Sequence, residues 1–213
     1  MLADLAALDD PKVRAANLTR GDDHGVNLSA LRNVAKKLRT QHELARELWA
    51  TGDVAAQLLA TLICKPKQFP PAELDTMLRQ LRAPKVQEWL VSYVIKASPH
   101  KEPLRTPWME ETGNVGRAGW TLTAERVAKE PDGLDLGGLL DRIEADMQGT
   151  DERKQWAMNH TLAEIGIHHA AHRARAIAIG EKLRVLEDYP TSPGCTSPYA
   201  PLWIAEMVRR QGA

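Results

Sequence analysis

NLSALRNVAKKLRTQHELARELWATGDVAAQLLATLIC, residues 27 to 64, reads as three helices in succession. Asn27 or Ser29 offers a capping oxygen, and Leu28, Leu31, Ala35 and Leu38 then recur on one face through Arg39. Residues 41 to 50 gather Leu44, Leu48 and Trp49. Thr51-Gly-Asp53 then stops one helix and caps the next. The segment Val54 to Cys64 is apolar on nearly all sides, which predicts a central helix.

The same punctuation continues outward. Pro70-Pro71 opens a helix to Leu81, because the fixed φ of proline suits a first turn. Pro84 opens another through Ile95. Pro103 and Pro107 bracket a short helix carrying Trp108, and Gly113 to Gly116 reads as a turn before a helix from Arg117 to Lys129. Leu136 to Met147, Glu152 to Ile167 and Ala170 to Leu183 follow, and Pro201 starts a last helix to Arg210. Between them, Thr191 to Pro201 holds three prolines and is expected to run extended. No stretch alternates β-branched or aromatic residues with polar ones, so strands have no place. The expectation is one all-α domain, 1–213, of about ten to twelve helices. Periodicity leaves a globular bundle and a solenoid of stacked pairs both open.

Composition narrows the function classes. With 213 residues and 43% hydrophobic content the chain can bury a core, which excludes disorder. Lysine plus arginine equals aspartate plus glutamate at 28 each, so no global field points to nucleic acid or membrane. The charge is nonetheless segregated. Lys12 to Arg46 holds eight bases and three acids, Lys65 to Arg105 eight and four, and Thr106 to Glu152 reverses to four and eleven. Such a run is either a solvated face or a strip for phosphates. Cys64 and Cys195 fit neither a disulfide framework nor metal-ligand spacing. The acidic start lacks a signal peptide's basic region, and no apolar run is long enough to span a bilayer. A cytoplasmic, monomeric protein without membrane contact is expected.

Six stretches in order carry a resemblance. They are Gly25 to Leu38 (GVNLSALRNVAKKL), His42 to Trp49 (HELARELW), Ala60 to Ile63, Trp89, Arg117-Ala-Gly-Trp120, and Met158 to Gly166 (MNHTLAEIG). The closing Ile179 to Lys182 and Cys195 to Pro198 add to them. Together the chain resembles the AlkD-like family of DNA alkylation repair proteins. The resemblance implies HEAT-like helix pairs with a basic concave groove for duplex DNA. It further implies relatives that excise N3- or N7-alkylated purines by stabilising an oxocarbenium-like sugar and orienting a water. Those relatives use a tryptophan, an aspartate four residues later, a second tryptophan and an arginine.

Carried over by position, the tryptophan is Trp89 and the arginine is Arg117. The aspartate of "W-D-x-x-D" is Tyr93, and the later tryptophan's place is taken by His160, with Trp156 one turn earlier. A phenol with a pKa near 10 is neutral at pH 7 and offers no anion to a developing cation. Glu88 is adjacent but points about 100° away on a helix. The expected function is therefore binding of duplex DNA, alkylated or not, without effective excision. Lys36, Lys37, Arg39, Lys65, Lys67, Arg82 and Arg117 are the phosphate-contact candidates. An active glycosylase and a HEAT-like scaffold for a protein partner are the alternatives.

The remaining chemistry-bearing residues carry less. His168 and His172 are four apart, as zinc ligands are, but no carboxylate or cysteine ligand lies beside them, and a turn is expected between. Cys195 has no base in view. There is no glycine-rich phosphate loop, so no cofactor is expected.

Overall fold

The protein is described by a computed structural model over residues 1–212. It gathers into two compact units, Met1–Lys101 and Glu102–Ala213. Every regular element of the described residues is helical, apart from one isolated bridge between Asp9 and Val26. No helix among them is long and apolar enough to cross a membrane.

The first unit contains α1 (Leu2–Ala6), α2 (Pro11–Leu18), α3 (Leu28–Leu38), α4 (His42–Ala50) and α5 (Val54–Ile63). After a 3-10 turn at Pro66–Gln68 come α6 (Pro71–Gln80) and α7 (Pro84–Trp89). The quoted stretch folds as its sequence predicts. The Asn27 side chain accepts from Ser29 N, and the Asp53 side chain accepts from Ala56 N at 2.8 Å. Central α5 buries Leu58, Leu59 and Ile63 completely and packs against α3, α4 and α7. Both unsatisfied helix starts are thus closed by a side chain of the right type, which contributes about 1 kcal/mol each.

One helix departs from expectation. The segment opened by Pro84 does not run as a uniform α-helix to Ile95. From Leu90 to Ile95 it is π-helical, with Lys96 N donating to Val91 O at 3.0 Å, five residues back. Its first turn is fastened by Asp22, whose carboxylate accepts from Lys85 N at 2.8 Å.

The second unit follows with α8 (Lys101–Glu110), α9 (Gly113–Lys129), α10 (Leu136–Asp146), α11 (Glu152–His168), α12 (Ala170–Leu183) and α13 (Ala200–Gln211). α11 is its axis, packed by α9, α10, α12 and α13, with Met158, Leu162 and Ile165 fully buried.

Two expectations are corrected here. Pro103 and Pro107 do not bracket α8 but lie inside it. Gly113 to Gly116 is not a turn but the first turn of α9. The glycines of that helix serve close packing. A Cβ on Gly116 would stand 2.2 Å from Glu111 O, and one on Gly119 2.4 Å from Met109 N. Their spacing looks like a breaker in sequence, yet it lets α8 and α9 approach backbone to backbone.

Candidate nucleic-acid interface

Within the first unit, two local contacts join the two chain segments that carry most of the predicted cations. The exit of α3 is joined to the end of α5 by Gln41 N donating to Ile63 O at 2.8 Å. One step on, Lys65 N donates to His42 Nδ1 at 3.2 Å, and His42 packs edge-on against Phe69 at 4.9 Å. The end of α3, which carries Lys36, Lys37 and Arg39, is therefore next to the segment after α5 that carries Lys65 and Lys67. All five side chains are exposed. None has a carboxylate partner among the described residues. Arg39 leaves the helix at φ 57, a region that costs a non-glycine residue about 1–3 kcal/mol. Arg82 is set apart by its bonds, donating to the carbonyls of Arg79 and Leu81.

Trp89 and Tyr93 meet as their spacing predicts, ring centroids 5.3 Å apart at 90°. Trp89 is only 2% exposed while Tyr93 is 40% exposed, so the indole belongs to the core and the phenol to the surface. Arg32 covers the indole, its guanidinium carbon 4.8 Å from the ring centroid. The nearby Glu88 is tied to Lys85 at 2.6 Å. No carboxylate among the described residues is bonded to the Trp89–Tyr93 pair.

The other two predicted positions lie in the second unit. Arg117, on α9, is half-buried. His160, on α11, stacks on Trp203 at 5.1 Å with an angle of 11° between rings. Its Nε2 lies 2.9 Å from Glu164 Oε1, and His168 Nε2 lies 3.0 Å from the other oxygen of the same carboxylate. Burial pushes the Glu164 carboxyl up, but the bonds and positive charge offered by His160 and His168 outweigh it and hold the group below the usual carboxylate range. Trp156 sits edge-on to Tyr189 at 5.0 Å. His160 is thus engaged with protein partners on two sides. No group of three potential ligands around a metal position exists among the described residues.

Sequence reasoning missed two participants. Arg32 was one basic residue among eight, and nothing local marked it as the neighbour of a tryptophan 57 positions away. Glu164 was readable: 160, 164 and 168 repeat at four-residue spacing, which stacks them on one helix face.

The chain matches the family model described as "DNA alkylation repair enzyme" over residues 1–204. Among solved structures, one matches with a TM-score of 0.79, covering 99% of this chain and 93% of that one at 21% identity. It is described as a new family of proteins related to the HEAT-like repeat DNA glycosylases with affinity for branched DNA structures. No curated protein matches the chain in sequence. The structural likeness establishes an all-α HEAT-like fold, which resolves the choice that helical periodicity left open.

Proposed function

The chain belongs to the DNA alkylation repair enzyme family, and from that premise we propose that it binds the DNA backbone without effective base excision. One observation carries this reading. Where the resemblance places a catalytic carboxylate, this chain has Tyr93, and the ionised group bonded to that phenol is the cation Arg32. A sugar acquiring positive charge gains nothing from a neutral phenol and is opposed by a guanidinium. Losing one such electrostatic contact costs on the order of a hundredfold in rate.

The binding half of the reading rests on Lys36, Lys37, Arg39, Lys65 and Lys67, exposed on two adjoining segments and without a carboxylate partner among the described residues. Phosphate contacts of this kind fix a protein on the backbone without reading sequence. The structural neighbour's described affinity for branched DNA makes a three-way junction the ligand to compare with linear duplex.

Anisotropy titrations of both DNAs test the proposal. Five phosphate contacts predict an affinity loss of roughly 500-fold between 50 and 200 mM salt. Little binding at the lower salt would favour a protein-interaction scaffold. The second reading, an active glycosylase, is tested with methylated DNA. Release of 7-methylguanine or 3-methyladenine well above spontaneous loss would show that the missing carboxylate is dispensable.

A further inference from the structure

We propose that Arg32, Trp89 and Tyr93 form a phosphate clamp that takes one phosphodiester of the DNA backbone. The inference rests on the DNA-binding reading above and adds to it a site outside the five-cation cluster.

The clamp follows from donor accounting. A guanidinium carries five N–H donors, and at most one of Arg32's is spent, on a contact of 3.5 Å to the Tyr93 hydroxyl. No carboxylate is bonded to it among the described residues. The phenol oxygen accepts from Arg32 and so keeps its own hydrogen to donate. An incoming oxyanion therefore meets two kinds of donor side by side on an exposed surface. The buried Trp89 ring is the floor. The guanidinium carbon lies 4.8 Å from its centroid, a cation–π contact that restrains the Arg32 side chain, so less conformational freedom is lost when an anion binds. Lys36, one turn further along α3, extends the positive surface from this clamp toward Arg39 and Lys65.

Position 93 then sets the character of the site. A carboxylate there would sit within reach of Arg32 and neutralise it. The phenol leaves the cation's charge available. One side chain thereby turns a place suited to stabilising a cation into a place suited to holding an anion.

The test uses the full chain, a three-way junction and a linear duplex, with affinity measured across a salt series and thermal melting as a check on folding. Arg32→Ala should weaken binding about tenfold and lower the salt slope by about one. Arg32→Lys should keep the slope but lose part of the affinity, because an ammonium keeps the charge but lacks the planar fork that grips a phosphate through two N–H groups. Tyr93→Asp should lower the slope as Arg32→Ala does, whereas Tyr93→Phe should cost a few-fold with the slope unchanged. Unaltered affinity and slope in Arg32→Ala, with the unsubstituted protein still binding, would overturn the clamp and leave the DNA-binding reading intact. Weakened binding with an unchanged slope and a lowered melting temperature would overturn it too, leaving Arg32 as a cover for Trp89. No binding by the unsubstituted protein would sink both.

Discussion

Both units form ion pairs, Arg14 with Asp9 and Arg46 with Glu73 in the first, but they differ in how many exposed cations are left over. Residues 1–101 hold fifteen basic and eleven acidic side chains, while residues 102–213 hold thirteen and seventeen. In the second unit the cations are consumed by its own architecture. Arg142 ties α10 to Glu110 at 2.6 Å and lies over Trp120, Lys182 ties α12 to Glu144 at 2.6 Å, and Arg126 pairs with Glu102. Arg209 and Arg210 share Glu206, holding its carboxyl down to about 2. In the first unit, Lys36, Lys37, Arg39, Lys65 and Lys67 have no such partner among the described residues. A zero net charge thus conceals a second unit whose cations pair between its helices and a first unit in which five exposed cations stay single, the five that the proposed function assigns to DNA. Exposed ion pairs contribute little each, so leaving these five cations single forfeits little stability.

The comparison can be broken directly. Replacing Lys36, Lys37, Arg39, Lys65 and Lys67 together by alanine should remove several hundredfold of DNA affinity at moderate salt and leave melting nearly unchanged. The matched replacement of Arg126, Arg142 and Lys182 by alanine should do the reverse, lowering the melting temperature with DNA affinity within a few-fold. Equal effects on affinity from both sets would erase the distinction.

Stability should be more sensitive to backbone closeness in the second unit. Gly119→Ala drives a methyl into the backbone of Met109 and Trp108, and is expected to cost about 3 kcal/mol in denaturant unfolding. Asp151 caps α11 through Arg153 N and Lys154 N, and also accepts from Gly113 N at 2.8 Å, binding the starts of α9 and α11. Burial raises its pKa, but the backbone donors, Gly113 first, outweigh that and hold it below the usual aspartate range. A carboxyl depressed in the folded state contributes stability above its unfolded pKa and loses that contribution as pH falls through the folded value. Asp151→Ala should cost about 1–2 kcal/mol at neutral pH, with the gap to the unsubstituted protein closing below the ordinary aspartate range.

Arg39 sharpens the contrast further. Its positive φ suits glycine, so Arg39→Gly should stabilise the first unit by about 1 kcal/mol while weakening DNA binding a few-fold. Gains in melting temperature together with losses in affinity would mark a residue kept for a ligand. A gain without the loss would remove it from the interface. The smallest effect concerns the thiols. Cys195 is exposed, whereas burial pushes the Cys64 thiol up to about 11. A thiol reagent at neutral pH should label one cysteine per folded chain and the second only on unfolding.

Most helices were legible before the structure because their causes are local. Asn27, Asp53 and Pro71 lie where the chain itself signals a start, and the i to i+4 bond needs only near neighbours. The segregation of charge and the absence of a carboxylate at position 93 were likewise written in the chain. Gly113 to Gly116 misled because a glycine that allows close packing has the same local signature as one that breaks a helix. Only the tertiary structure decided which cations are spent and which are free, since Arg142 meets Glu110 across 32 residues and Arg32 meets Tyr93 across 61. Pairing of that kind depends on which helix surfaces face one another, and no property of a single helix encodes it.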